Sequence, residues 1–338
     1  MKITKWAIVG TGNISSQFAN GLKHVEGAQI YAVASRNKET AQAFADKFGI
    51  TKAYGSYEEM AKDDEIDIVY IGTPHPMHLE NSLMYLEAKR AVLCDKPLGV
   101  TAAEVKAMVA KAREMDVFFM EGIWTRFFPA VKQALEWVKS GRIGTPKTIT
   151  ANFGYDGSRN RNQWRFNKAM AGGAMLDVGI YPLSTAFAAF GSDYSTVSGA
   201  AIMNAGIDEV NSFTLEYPDG RIAAMNSGIA AWLDNRVVIT GSEGCVILGE
   251  DGDPWWHASR AALRFPETDL LAGKGSAELF DMPYPSTGFQ YEAAAVQQYV
   301  AQGMKEAPEM PMDESIKIAE TMEQLLRSWG AEYDAFKA

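Results

Sequence analysis

Apolar and polar positions follow two rhythms along this chain, and the change falls near residue 123. In the first part, short runs of consecutive apolar residues predict buried strands over residues 5–9 (KWAIV), 30–34 (IYAVA), 67–71 (DIVYI), 91–94 (AVLC) and 117–120 (VFFM). Between them apolar residues recur at helical spacing, as in Ile14, Phe18, Leu22 and Val25, and helices are expected over about 13–25, 38–48, 78–88 and 102–114. Strands alternating with helices of this length predict a doubly wound parallel sheet covered on both faces. Such sheets bind ligands beyond the carboxyl ends of their strands. The polar features of this part fall at those ends: GTGNIS at 10–15, Ser35-Arg36, TPHPMH at 73–78, Asp95-Lys96 and Glu121.

From about residue 124 the rhythm becomes apolar–polar alternation. Half-exposed strands are expected over 147–155, 210–217, 221–229, 236–240 and 245–248, with turns at YPDGR and GSEG. Helices are expected over 130–140, 173–190, 291–302 and 314–329. This is the pattern of an α+β domain with a large, mostly antiparallel open sheet, one face of which can meet a partner.

The loop GTGNIS stands after a strand and before a helix, where each glycine has a physical task. Gly10 allows the tight turn, and Gly12 lets the backbone approach a pyrophosphate lying on the helix N-terminus. Thr11, Asn13 and Ile14 complete the loop, and Ser15 takes the place of a third glycine. An ordinary strand–turn–helix with two glycines is the other reading. The expected organisation is therefore an α/β N-terminal Rossmann domain, residues 1–123, binding NAD(P), and a substrate-binding and oligomerisation α+β domain, residues 124–338, with a catalytic cleft between them. The end of the second strand reads AVASRNK, with Ser35 and Arg36 and no carboxylate before Glu39. A hydroxyl and a guanidinium suit the 2′-phosphate of NADP, whereas NAD sites usually place an acid there. NADP is the expected cofactor, with NAD possible.

Composition narrows the remaining classes. The 338 residues suit two domains. The chain carries 42 acids against 32 bases, a net charge of -10, and no basic stripe, so nucleic acid is not the expected partner. No apolar run approaches the ~20 residues of a membrane helix, and MKITKWAIVG enters a strand directly, unlike a signal peptide. The cysteines, Cys94 and Cys245, stand in no metal-like spacing and fit a reducing, cytoplasmic location. His75-x-x-His78 near Cys94 matches no zinc pattern, so no metal is expected. No GxSxG marks a hydrolase.

The stretch GGAMLDVGIYPL (172–183) puts Asp177 and Tyr181 four residues apart on one helix face among apolar neighbours. A carboxylate and a phenol presented together suit a site; mutual satisfaction inside a core is the alternative. GTGNIS, TPHPMH, DKPLG, EGIWTRFFP, NQWRF and AGGAMLDVGIYPL together resemble the motif series of the glucose-fructose oxidoreductase/inositol dehydrogenase/rhizopine catabolism (Gfo/Idh/MocA) family over nearly the whole chain. MEGIWTRFFP with GGAMLDVGIY is most similar to the dimeric dihydrodiol dehydrogenase branch, also described as NADP-dependent D-xylose dehydrogenases. The EKP of that family stands here as Asp95-Lys96-Pro97.

The resemblance implies hydride transfer between a nicotinamide and a secondary alcohol or carbonyl of a small polyol, aldose or trans-dihydrodiol. It implies Lys96 beside the nicotinamide and on the substrate oxygen, Tyr181 as acid/base, and Asp177 as the group that orients the substrate hydroxyl or Lys96. It also implies cofactor contacts at Thr73, Pro74, His75, Asp95, Trp164 and Arg165. Substrate contacts are implied at His78, Trp124, Phe153, Trp255 and Phe280, and a homodimer or homotetramer through the C-terminal sheet. A non-catalytic NAD(P)-binding regulatory protein and an NAD-dependent glycosidase of the same fold are the competing functions.

Overall fold

Six short strands lie side by side in one parallel sheet: β1 (Thr4–Val9), β2 (Ala28–Ala34), β3 (Lys52–Tyr54), β4 (Ile68–Ile71), β5 (Ala91–Asp95) and β6 (Phe119–Gly122). Their order is β3-β2-β1-β4-β5-β6. It reverses direction between β1 and β4, which is where sheets of this kind bind ligands, beyond the carboxyl ends of the strands. Every residue of β4 and β5 is buried, which is why these strands read as apolar runs without alternation. Helices α1 (Asn13–Leu22), α2 (Lys38–Phe48), α3 (Tyr57–Ala61), α4 (His78–Glu87) and α5 (Ala102–Met115) connect them. Local chemistry sets several ends. Asn37 caps α2 by accepting from the Thr40 amide at 2.8 Å, and Gly49 closes it at φ 71°. Thr101 and Glu104 form a capping box on α5. β3 and α3 were not foreseen, since three and five residues are too short to display a period.

The second sheet has eight strands. After α6 (Pro129–Lys139) come β7 (Pro146–Gly154), α7 (Ile180–Phe190), β8 (Thr196–Asn204), β9 (Ile207–Glu216), β10 (Ile222–Gly228), β11 (Val237–Gly241), β12 (Cys245–Leu248), β13 (Arg260–Phe265) and β14 (Ser276–Asp281). The order is β14-β13-β12-β11-β7-β10-β9-β8. All pairs are antiparallel except β7 with β10, which run parallel. Helices α6 and α7 cover one face, burying Ile149, Ala151, Phe213, Leu215, Met225 and Ile239. The other face is open, with Ile202, Ile222 and Leu279 sharing it by register and standing exposed. β8 escaped the sequence reading because most of its residues face solvent, so its pattern carries little contrast.

Helices α8 (Phe289–Ala301) and α9 (Met312–Ser328) end the chain. The computed structural model describes residues 3–250, 252–266 and 276–337. These form two compact units. One takes the residues up to Trp124 together with Pro285–Ala319; the other takes Thr125–Tyr284 and the residues from Glu320 onward. The sequence drew one boundary after residue 123, whereas here α8 belongs with the first sheet. A Cβ on Gly21 of α1 would lie 2.9 Å from the Phe289 Cβ of α8, which is the reason for a glycine within that helix. The expectation that no stretch has the length and hydropathy of a membrane span needs correcting. Lys168–Phe190 has both by length and composition, and 89% of its apolar 18-residue window is buried inside the protein as core.

Candidate active site

In the first unit the loop after β1 turns at Gly10, whose φ of 94° suits glycine, and a Cβ there would lie 3.0 Å from the Gly72 carbonyl at the end of β4. Ser15 serves the purpose of a third glycine: a Cβ on Gly72 would meet its Oγ at 2.7 Å, so strand end and helix need small residues on both sides. Gly12 is the N-cap of α1, and nothing lies within 4 Å of a Cβ built on it. A side chain there would project into open space over the helix N-terminus, where a pyrophosphate would lie. Thr11 and Ser35 bring their hydroxyls to 3.4 Å at the ends of β1 and β2. Arg36 is exposed beyond Ser35, and the next acid along the chain, Glu39, lies in the first turn of α2. Asn13 and Ile14 open α1, whose first turn holds no acidic side chain. These residues fit a dinucleotide bearing a 2′-phosphate.

Lys96 follows β5 and is 7% exposed; Asp95 beside it is also buried, and the Lys96–Pro97 peptide is cis. Two neighbours pin the loop they head. Glu121 on β6 accepts from the Leu98 amide at 2.8 Å, and His78 at the start of α4 meets the Pro97 carbonyl at 2.8 Å. The other His78 ring nitrogen lies 2.8 Å from the Thr73 carbonyl. Burial pushes the His78 pKa down, and the two carbonyls push it back. His78 was expected on the substrate. It is instead fully buried between the TPHPMH and DKPLG loops, with a backbone carbonyl of each loop 2.8 Å from a ring nitrogen, and its single N–H in the neutral form can donate to one of them. Thr73 is buried and accepts from Asn81 at 3.1 Å, His75 is buried beside His78, and Pro74 is exposed at the rim. Trp124 lies flat on Phe289, ring centroids 4.5 Å apart.

In the second unit the expected helix over 173–190 begins with a π-helical turn, Met175–Gly179, before α7. Such turns gather at functional sites. It carries Asp177, and Tyr181 follows in the first turn of α7; both are largely buried. Asp177 accepts from the Tyr155 hydroxyl at 2.5 Å and faces Arg165 Nε at 3.7 Å. Burial, and then the Asp177 carboxylate, push the Tyr155 phenol far above its ordinary pKa, so it stays protonated as the donor. Arg165 lies over the Tyr155 and Trp164 rings at 5.2 and 5.6 Å. Gly172 makes this possible: a Cβ there would sit 2.4 Å from the Arg165 carbonyl. Tyr155 went unnoticed in the sequence because it ends a strand with no pattern to distinguish it.

Phe153 packs against Tyr181 with centroids 5.4 Å apart and stacks on Trp256 at 5.1 Å. Trp255 was expected to line the substrate pocket. It is fully buried, with its indole N–H donating to the Asn152 carbonyl at 2.7 Å, so it is a core residue; its neighbour Trp256 is the half-exposed ring. Phe280 is half-buried on the edge strand β14, on the face that α6 covers. Among the described residues, no group of three or more His, Cys, Asp or Glu side chains could hold a metal ion.

Comparison with known proteins agrees with this layout. Residues 4–123 match the oxidoreductase family with an NAD-binding Rossmann fold, GFO_IDH_MocA, and residues 131–247 match the GFO/IDH/MocA C-terminal domain. A trans-1,2-dihydrobenzene-1,2-diol dehydrogenase of Bos taurus is 37% identical over 332 residues, covering 96% of this chain and 97% of the bovine one. Two solved structures share the fold. A 3-ketoreductase from Actinomadura kijaniata, in complex with NADP and TDP-benzene, superposes with a TM-score of 0.83 at 23% identity, covering 98% of this chain and 99% of that one. An aldose-aldose oxidoreductase from Caulobacter crescentus, complexed with glycerol, gives 0.82 at 23% identity, with 97% and 98% coverage.

Proposed function

This chain belongs to the Gfo/Idh/MocA oxidoreductase family, and from that premise we propose that it is an NADP-dependent dehydrogenase or reductase. It would act on a secondary alcohol or carbonyl of a small polyol, aldose or trans-dihydrodiol. The substrate class rests on the full-length likeness to a dihydrodiol dehydrogenase. The observation that carries the chemistry is Lys96, a nearly buried cation at the carboxyl end of a parallel strand, in a loop pinned by His78 and Glu121. A charge held in that way is preorganised for an oxyanion.

NADP, cradled by Gly10, Thr11, Gly12, Asn13 and Ile14 with Ser35 and Arg36 at its 2′-phosphate, would supply the hydride acceptor. The Lys96 ammonium donates to the substrate oxygen and stabilises it as an alkoxide. The Tyr181 phenolate oxygen takes the hydroxyl proton on oxidation and returns it on reduction. Asp177, held by Tyr155, orients the substrate hydroxyl. Alcohol oxidation by NADP⁺ releases a proton, so it should be favoured toward alkaline pH. We also propose a cytoplasmic homodimer or homotetramer. Two free cysteines support that compartment, and the exposed Ile202, Ile222 and Leu279 support association through the open sheet face.

The test is absorbance at 340 nm with NADP⁺ or NAD⁺ over D-xylose, D-glucose, myo-inositol and a trans-dihydrodiol. Turnover with NADP⁺ is expected, with Lys96→Ala and Tyr181→Phe each slower by about 10²-fold or more, the scale of a lost acid/base or oxyanion contact. Unchanged turnover in Tyr181→Phe would remove that residue from the mechanism. A rise with NAD⁺ alone would overturn the assignment of Arg36. Binding of NADP⁺ without turnover on any substrate would favour a regulatory protein.

A further inference from the structure

Beneath the π-helical turn lies a buried polar chain that the proposed reaction does not use. Asp208, at the start of β9, is wholly buried. Its Oδ2 accepts from the Met175 amide at 2.7 Å and from Asn211 Nδ2 at 2.6 Å. Asn211 Oδ1 in turn accepts from Ser227 Oγ at 2.8 Å. The chain therefore touches the turn at both ends: at its first amide through Asp208, and near its last residue, where a Cβ on Gly179 would lie 2.7 Å from Ser227 Oγ.

The two glycines before the turn allow this approach. Gly173 has φ 117°, and a Cβ there would come within 2.6 Å of both Asp208 Oδ1 and the Tyr333 hydroxyl. That hydroxyl donates to the Gly172 carbonyl at 2.5 Å. The first amides of a helix lack intrahelical acceptors, and a buried one must find another. Here the acceptor comes from a strand thirty-three residues later in the chain.

We propose that Asp208 is a positioning residue for the reaction: its Oδ2 fixes the π-helical turn and, through it, the places of the Asp177 carboxylate and the Tyr181 hydroxyl. The inference rests on the oxidoreductase reading above. Burial raises the Asp208 pKa to about 7. In the neutral acid the proton belongs on Oδ1, which has no hydrogen-bond partner among the described residues, so both bonds to Oδ2 survive protonation. Tyr333 is the titratable group facing it, and burial, then the Asp208 charge, keep that phenol protonated. It follows that the hydrogen bonds, rather than the charge, do the positioning, and that an asparagine should replace Asp208.

The experiment compares Asp208→Ala and Asp208→Asn with the wild type by kcat, KM, NADP⁺ affinity and amide hydrogen exchange over residues 174–181. For Asp208→Ala we expect kcat lower by about 10²-fold, the scale of a catalytic group displaced by about an ångström. Its NADP⁺ affinity should be unchanged, and exchange should be faster in that segment alone. Asp208→Asn should restore kcat to within a few-fold. Wild-type kcat and exchange in Asp208→Ala would overturn the proposal, as would an Asp208→Asn protein as impaired as the alanine variant. Should Asp208→Ala fail to fold, Asn211→Ala asks the same question by removing one bond that orients Asp208; a graded loss supports the proposal and none overturns it. Were the wild type inactive on every substrate, the oxidoreductase reading would fall, and the exchange comparison would still decide whether Asp208 holds the turn.

Discussion

Glu292 of α8 is wholly buried in the first unit, and among the described residues neither carboxylate oxygen has a hydrogen-bond partner. Burial, and then the Asp95 carboxylate, hold its pKa well above the ordinary range. The folded protein thus binds this proton more tightly than the unfolded chain, whose glutamate titrates near pH 4.3. Stability therefore falls as pH rises above that value, until the folded pKa is passed. Glu292→Gln removes this loss, so its melting temperature should exceed the wild type's at pH 8 and match it near pH 4. An equal difference at both pH values would mean that Glu292 does not hold its proton. Tyr155 offers a second test at this scale. Tyr155→Phe deletes one hydrogen bond to a largely buried carboxylate, which should lower kcat/KM about 10- to 100-fold while leaving NADP⁺ affinity intact; a titration and a rate profile would check both.

Gly12 separates a folding role from a ligand role at the scale of the element. Its φ of −74° is open to any residue, and a Cβ would touch nothing within 4 Å. Gly12→Ala should leave the melting temperature of the cofactor-free protein unchanged and weaken NADP⁺ by about tenfold or more, since the methyl group would occupy the space of the pyrophosphate. Calorimetry showing wild-type affinity would move the dinucleotide elsewhere. The elements themselves were legible where local chemistry sets both ends. Helix α2 spans the residues its pattern predicts, because Asn37 and Gly49 are its caps. The π-helical turn was not legible. Its i, i+4 spacing of Asp177 and Tyr181 reads as plain helix, and what supports it arrives from β9 and β10.

At the scale of the whole molecule, Ile202, Ile222 and Leu279 stand exposed on β8, β10 and β14, on one face of a sheet whose other face is covered. That uncovered face is where the proposed association would form. Ile202→Asp should lower the mass measured by light scattering toward that of one chain, with the circular dichroism spectrum unchanged. A wild type that is already monomeric would remove the oligomer from the proposal.

What the sequence determined by itself was whatever short-range periodicity encodes. Short apolar runs bounded by turn signals pointed to strands buried on both sides, and glycines between strand and helix pointed to a tight turn. Hence the parallel sheet, the loop after β1 and the position of Lys96 at a strand end were readable from the residues. The tertiary structure decided which side chain of a pair is core and which polar atom finds a partner. Trp255 and Trp256 are neighbours with identical side chains, and the fold buries the first, with its indole N–H on the Asn152 carbonyl of β7 and its ring against Phe153. His78 read as a ligand-facing imidazole until two backbone carbonyls enclosed it. Asp208 had no motif to announce it, because its meaning lies in an amide thirty-three residues away. Burial and hydrogen-bond satisfaction are properties of contacts between distant segments, and no local pattern encodes them.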